Sequence, residues 1–105
     1  MKKKVIITHI GETKEGIGKQ SGEPWVLTDI DMKWTVEQPG TESYVQSCVG
    51  TVKGYINDSL VRKCIAENTE IMVTMYVSVK VWNDRHFTSV QLYLPKEFMF
   101  EEKPL

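Results

Sequence analysis

Aromatic and basic residues are concentrated around one short turn, Asn83-Asp84, in the last third of the chain. Lys80 and Trp82 precede this turn, and Arg85 and Phe87 follow it. Because asparagine and aspartate both tolerate positive φ, the turn predicts a β-hairpin that pairs Trp82 with Arg85. In that register the four side chains share one face. Rings on which unpaired bases stack, beside cations that contact phosphates, are what binding of a single nucleic-acid strand requires.

A second group of the same kind lies nearer the N-terminus. Lys14 and Lys19 belong to the stretch GETKEGIGKQSGE, which ends just before Pro24 and Trp25. Its four glycines and lack of an apolar period predict that residues 11–23 form a mobile loop. The predicted nucleic-acid contacts from both groups, with one further lysine on the second strand, are Lys14, Lys19, Trp25, Lys33, Lys80, Trp82, Arg85 and Phe87.

Residues that could carry catalysis are sparse. His9 and His86 are the two histidines, and no serine or cysteine stands in a nucleophile motif. The stretch GIGKQSGE lacks the spacing and the strand-to-helix context of a phosphate-binding loop. Asp29 and Asp31 would lie about 7 Å apart on one side of a strand, with no histidine or third carboxylate to complete a site. The sequence therefore predicts a protein that is not an enzyme and that needs no metal or cofactor.

Composition bounds the class of protein. A length of 105 residues suits one domain, residues 1–105, with a core over 4–95 and a tail over 96–105. No apolar run approaches the roughly 20 residues of a membrane helix. The start, MKKKVIITHIGE, is too poor in hydrophobes for a signal peptide, so we expect a cytoplasmic protein. The net charge of −1 means that any nucleic-acid site must be a local basic groove on a nearly neutral molecule. Cys48 and Cys64 lack metal-type spacing and are expected to be free thiols.

Three strands are predicted in the first half of the chain. The β-branched segment KVIITHI, residues 4–10, is the first. WVLTDIDMKWTVE, residues 25–37, is the second, and its even positions, Trp34 among them, are mostly apolar and are predicted to face the core. SYVQSCVGTVKGY, residues 43–55, is the third, in which Gly50 and Gly54 mark bends or bulges.

The hairpin around the Asn83-Asp84 turn supplies the last two strands, EIMVTMYVSVKVW and RHFTSVQLYL. The odd positions of the first are all apolar, so its valine stripe is predicted to be buried. A slip of one residue would turn one apolar set to solvent, which makes the register a specific prediction. The predicted pairs are Val77 with Val90, Met75 with Leu92 and Val73 with Leu94.

A short helix and a tail complete the prediction. In NDSLVRKCIAEN, Asn57 or Asp58 can cap a helix near residues 58–67, which closes near Asn68. The tail PKEFMFEEKPL leaves the sheet at Pro95. Its three large apolar residues are predicted to cover one end of the sheet, with a partner or a second copy of the chain as the alternative; they are Phe98, Met99 and Phe100.

The order of elements predicts a mostly β fold: a five-stranded Greek-key barrel of the oligonucleotide/oligosaccharide-binding (OB) type, with one short helix between strands 3 and 4. Residues 18–94 resemble a family of small bacterial OB-fold proteins related to single-stranded-DNA-binding proteins. The motifs that carry the resemblance are SGEPW, AENTEI and WNDRHFT. It implies a nucleic-acid-binding face and no catalytic residues. Asp29 and Asp31 depart from a strong binder, because outward carboxylates repel phosphate.

In an OB barrel, ligands lie across strands 2 and 3, between the loops that join strands 1–2 and 4–5. The predicted function is therefore non-catalytic binding of single-stranded nucleic acid, DNA rather than RNA. The alternative is a protein-interaction or oligomerisation module that forms homo-oligomers through the tail or a strand edge. Near-zero net charge and the two aspartates favour this alternative, whereas the clustered hairpin aromatics favour the first.

Overall fold

The segments of alternating and β-branched residues form the long strands of the protein. The structure, a computed structural model, describes residues 1–101. No helix among these residues is both long enough and apolar enough to cross a membrane. The elements are β1 (Lys2–Ile17), β2 (Pro24–Val36), β3 (Tyr44–Lys53), β4 (Tyr55–Ile56), α1 (Asp58–Glu67), β5 (Glu70–Trp82), β6 (Arg85–Tyr93), a 3₁₀ turn (Lys96–Phe98) and β7 (Met99–Phe100).

The five long strands close into a barrel in the order β1-β2-β3-β6-β5, and β5 returns to β1. Neighbouring strands are antiparallel except β3 and β6, which run parallel and meet at the pairs Thr51–Gln91 and Val52–Leu92. The helix α1 precedes β5, so it lies between the third and fourth strands of the barrel. This is the OB architecture that the sequence predicts, with the two-residue strand β4 added before the helix.

Alternate residues of the strands fill the barrel. The even positions of β2 from Val26 to Met32 are buried, as predicted, and Ile30 is fully enclosed. Trp34 continues this row and packs, half-buried, against the core. The helix adds Val61 and Cys64, and both cysteines of the chain are free thiols, as expected.

Local capping residues fix the bounds of α1, which agree with the predicted helix. The side-chain Oδ1 of Asn57 accepts a hydrogen bond of 3.4 Å from the Leu60 N–H, which satisfies one of the unpaired donors of the first turn. Asn68 ends the helix in the left-handed conformation, at φ 52°, and its N–H donates to the carbonyls of Cys64 and Ile65.

The first strand is longer than predicted. Residues 11–17, expected to be a mobile loop, instead pair with the first half of β2; Lys14 lies opposite Leu27 and Gly16 opposite Trp25. A strand ending at Ile10 would leave without partners the backbone groups on the edge of β2 that faces away from β3, and β1 supplies these partners. Two shifts of register, between Ile7 and His9 and between Ile10 and Thr13, accommodate the extension.

The hairpin has the predicted register. Asn83 and Asp84 adopt φ values of 50° and 60°, as a type I′ turn requires, and the ladder runs from Trp82–Arg85 through Val77–Val90 and Met75–Leu92. It ends at Thr74–Tyr93, one pair short of the predicted Val73–Leu94.

Burial of the valine stripe, in contrast, is wrong beyond Met75. Val77, Val79 and Val81 are 56%, 58% and 64% exposed. Residues 76–82 of β5 and 85–90 of β6 project as a two-stranded arm, because β3 pairs with β6 only at its last residues and β1 pairs with β5 only up to Thr74. Within residues 1–101, neither face of the arm is covered by another layer. The radius of gyration, 15.6 Å, accordingly exceeds the roughly 13 Å of a compact chain of this length.

The tail folds back onto the barrel. Gly54, at φ 110°, ends β3, and β4 then pairs with β7 through Tyr55–Phe100 and Ile56–Met99. Phe98 is 7% exposed and belongs to the core, as predicted, whereas Phe100 remains 39% exposed. Residues 102–105 of the predicted tail lie outside the described residues.

Candidate nucleic-acid interface

The arm presents the predicted aromatic and basic residues on one face. Lys80 pairs with Phe87 and Trp82 with Arg85, and directly paired residues of antiparallel strands project to the same side. Trp82 is 69% exposed and Phe87 is 51% exposed, so each ring offers area to a ligand. The structure thus brings together the four hairpin residues that the sequence predicted.

Two further aromatic residues extend this face towards the barrel. Tyr76 and Tyr93 are at least half exposed, and their rings pack edge to face with centroids 5.5 Å apart. Gln91 donates a hydrogen bond of 3.0 Å from Nε2 to the Tyr93 hydroxyl, which orients that ring. The aromatic face is defined as Tyr76, Trp82, Phe87 and Tyr93. Because Tyr93 lies opposite Thr74, this face spans about 26 Å along β5, from Thr74 to Trp82 at the usual strand rise.

Sequence reasoning missed both tyrosines, although the signal was available. Tyr76 has the same parity along β5 as Lys80 and Trp82, and Tyr93 has the same parity along β6 as Arg85 and Phe87. The hairpin register alone therefore places them on this face.

A second row of ligand-type residues crosses β1, β2 and β3. Lys14 lies opposite Leu27, and Lys53 lies opposite Leu27 on its other side, so two lysines flank one leucine on the outer surface. Alternation along β3 leaves the facing of Lys53 open around Gly50 and Gly54, and the pairing of β2 with β3 places it beside Lys14.

Trp25 is anchored next to this row. It lies opposite Gly16, and a Cβ added at Gly16 would stand 2.6 Å from Cε2 of the indole, so the ring lies against the glycine backbone. Trp25 is half-buried as a result. The contact with Gly16 therefore limits the area of this ring that a ligand can reach.

A groove of about 250 Å³ connects the lysine row with the arm. Leu27, Thr51 and Lys53 form one wall of it, and Ser89, Val90 and Gln91 of β6 form the other. Lys14, Trp25 and the arm residues consequently lie along one outer surface that crosses β1, β2, β3, β6 and β5. This surface corresponds to the ligand face of OB barrels in general.

The other two predicted contacts lie apart from that surface. Lys19 is in the turn between β1 and β2, beyond the end of the ladder, and is exposed. Lys33 pairs with Ile6 and Ser47 near the far end of β2. Asp29 and Asp31 stand between Lys33 and Leu27 on the outer face, so the structure separates Lys33 from Lys14 and the cations of the arm.

The electrostatics of the face favour an anion at its lysine-bearing parts. Asp29 accepts a hydrogen bond of 3.2 Å from Thr51 Oγ1 and marks the limit of the basic region. Among residues 1–101, the ion pair present is Arg62–Asp58 on the helix, so no carboxylate lies within 4.0 Å of the cations of this face. Within the same residues, no cluster of three or more His, Cys, Asp or Glu side chains is arranged to hold a metal ion.

Neither a protein-family model nor a curated protein matches the chain. Among solved structures, it is similar to a Plasmodium falciparum SSB complex with ssDNA. That similarity covers 92% of this chain and 88% of the other, with 12% sequence identity and a TM-score of 0.45. The OB assignment rests on the strand order of this chain, and membership of a small bacterial family stays a prediction.

Proposed function

We propose that this domain binds single-stranded nucleic acid on the surface formed by the aromatic face, the groove and the lysine row, without catalysing a reaction. The observation that carries the proposal is the alignment of four exposed rings on one face of β5 and β6, with Lys80 paired to Phe87 and Arg85 paired to Trp82. Unpaired bases offer π faces to such rings, and the cations meet the phosphates that follow.

The proposal sets the expected strength of binding. Each stacked base contributes about 1–3 kcal/mol, so two or three occupied rings supply about 2–9 kcal/mol. A micromolar complex needs about 8 kcal/mol and therefore also requires the phosphate contacts. Because the chain carries a net charge of −1, the protein as a whole attracts distant phosphates only weakly. We therefore expect modest affinity that falls as salt is raised.

DNA is the proposed ligand in preference to RNA. Discrimination in favour of RNA uses contacts to the 2′-hydroxyl. On the outer face of the arm, the hydroxyls of Ser78 and Ser89 hydrogen-bond each other at 2.8 Å, and that of Tyr93 accepts from Gln91. The rings and cations of this face act on the bases and phosphates that both kinds of strand share, so the preference is tested with DNA and RNA of one sequence, and tighter binding of the RNA would contradict it.

Two neighbouring residues of the arm give a matched test of stacking. Trp82→Ala removes a ring from the aromatic face, and Val81→Ala truncates the adjacent side chain, which projects from the opposite face of the arm. With a labelled oligonucleotide of about ten unpaired residues, anisotropy should show binding weakened roughly 5- to 150-fold by Trp82→Ala. Val81→Ala should bind like the wild type. Equal losses for both variants, with both proteins folded, would contradict stacking on the aromatic face.

A charge variant separates phosphate contact from stacking. Lys80→Ala should reduce the slope of log K against log salt by about 0.7, whereas Trp82→Ala should lower the affinity and leave the slope unchanged. A Lys80→Ala slope equal to that of the wild type would remove Lys80 from the proposed phosphate contacts.

The second candidate function is protein interaction or homo-oligomerisation. It is favoured by the opposite face of the arm, where Val77, Val79 and Val81 are more than half exposed without a covering layer. Under this function the protein would sediment as an oligomer, and Val79→Lys would return it to a monomer. A wild-type protein that sediments as a monomer would count against homo-oligomerisation.

A further inference from the structure

Four lysines meet at the start of β1, outside the surface described above. Lys2, Lys3 and Lys4 of β1 and Lys33 of β2 line a groove of about 630 Å³ together with Trp34. The three consecutive lysines line this groove because the first residues of β1 lie beside the last residues of β2, near the pair Ile6–Lys33. This lysine groove contains Lys33, one of the two predicted contacts that lie apart from the surface described above.

The lysine groove carries an excess of positive charge. Glu37 and Glu70 also line it, so the four ammonium groups exceed the carboxylates by two. Among residues 1–101, no carboxylate comes within ion-pair distance of these lysines. Lys3 Nζ instead lies 4.7 Å from the centroid of the Trp34 ring, a cation–π contact that holds its charge at the groove wall.

The lysine groove adjoins the base of the aromatic face. Lys2 pairs with Thr74 of β5, and Thr74 pairs with Tyr93 of β6, so the three side chains form one row on the outer surface. Adjacent strands lie about 4.8 Å apart, which puts Lys2 two strand spacings from Tyr93. Lys4 follows on the same face, opposite the exposed and uncharged Met72. In the part of the chain that the structure describes, no carboxylate interrupts the row between the tyrosines and the lysines.

We infer that the lysine groove is a second phosphate-binding site for the same nucleic-acid strand, which leaves the aromatic face at Tyr76 and Tyr93 and crosses from β5 to β1. This inference rests on the proposed function. It predicts that Lys2 and Lys4 contact phosphates only in ligands long enough to extend beyond the arm. Binding should therefore depend on length in a manner that the arm alone does not produce.

Oligonucleotides of two lengths test the inference. We choose about 5 and about 16 unpaired residues, near the limits of the usual site of one OB barrel. Lys2→Ala and Lys4→Ala, combined in one protein, should reduce the salt slope for the long ligand by about 1.4, from two contacts. Raising salt from about 50 to about 200 mM should then weaken the wild-type complex about sevenfold more than the variant complex. The short ligand should bind both proteins equally.

Two controls address the charge itself. Lys63→Ala removes one exposed lysine from the helix and should leave long-ligand binding unchanged, in contrast to Lys4→Ala alone. Glu70→Gln removes a carboxylate from the lysine groove and should strengthen long-ligand binding.

The outcomes separate this site from the proposed function. If the double lysine variant binds both lengths like the wild type, or loses affinity equally for both, the lysine groove is not a second site, while binding on the arm stands. An effect of Lys63→Ala as large as that of Lys4→Ala would also overturn it. If the folded wild type binds neither ligand at low salt, the proposed function and the lysine groove both fail.

Discussion

Gly50 lies where β3 meets β6, and replacing it with alanine should destabilise the barrel. A Cβ at this position would stand 2.6 Å from both Cγ and Cδ1 of Leu92. That is about 1 Å inside the 3.5–4.0 Å at which carbon atoms attract most strongly. Leu92 is 1% exposed and cannot move its side chain into solvent. We therefore expect Gly50→Ala to cost about 1–3 kcal/mol, the usual penalty for an overpacked core.

The reciprocal substitution tests the cause of that cost. Leu92→Ala should lower the free energy of unfolding by about 2–5 kcal/mol, because it leaves a cavity in the core. With both substitutions in one protein, the methyl group added at position 50 occupies space that Leu92 has vacated. The loss of stability in the double variant should then be smaller than the sum of the two single losses by about 0.5–3 kcal/mol, as expected for residues in contact.

Urea denaturation, followed by circular dichroism, measures all four free energies of unfolding in this cycle. Values of m should stay constant, so that the shifts in midpoint report stability. A neutral Gly50→Ala would show that β3 and β6 do not approach as described. Costs that add to within about 0.3 kcal/mol would show that Gly50 and Leu92 do not touch.

Three further substitutions or reactions test other parts of the structure. Asn57→Ala removes the helix cap and should lower the free energy of unfolding by about 0.5–2 kcal/mol, whereas Asn57→Asp should retain it; equal losses would argue against the cap. Phe98→Ala should cost about 3–5 kcal/mol in urea denaturation, and Phe100→Ala much less; similar costs would contradict the packing of the tail. Burial raises the pKa of the Cys48 thiol, so its thiolate forms at higher pH than that of a free cysteine. In a Cys64→Ala variant, the rate of alkylation of Cys48 should therefore rise at a higher pH than that of a cysteine peptide. A rise at a lower pH would contradict this burial.

Local residue chemistry made the hairpin and the helix predictable. The Asn83-Asp84 turn fixes the register because two adjacent positive φ values leave few alternatives. Asn57 and Asn68 bound the helix in the same way, through a side-chain acceptor at one end and a left-handed residue at the other. Each of these signals depends on a few neighbouring residues, so no knowledge of the rest of the fold was needed.

The arm shows what periodicity leaves undetermined. Alternation places Val77, Val79 and Val81 on one face of β5, but it does not tell whether another layer covers that face. Whether the face is covered depends on where β1 stops pairing with β5, at Thr74, and where β3 starts pairing with β6, at Thr51. Both pairings join residues far apart in sequence. β4 and β7 escaped prediction for a simpler reason, since two residues are too few to show a period.

The composition of the site was predictable only along single strands. Lys33 shares its parity with Trp25 on β2, so alternation alone assigned them to one surface, and the two intervening aspartates weaken that grouping. Lys53 and Lys14 are 39 positions apart in sequence and become neighbours only through Leu27. Pairing between strands, which the sequence does not display, decides both placements.

A titration of the wild-type protein with a single-stranded DNA of about ten residues, beside its duplex form, tests the central claim most directly. Stacking on Trp25 or Trp82 should quench tryptophan fluorescence with the single strand at low salt, and the quench should be lost as salt is raised. The duplex should produce little change, because its bases are already stacked and paired. Absence of a quench and of any retained oligonucleotide at low salt, with a well-folded protein, would contradict single-strand binding.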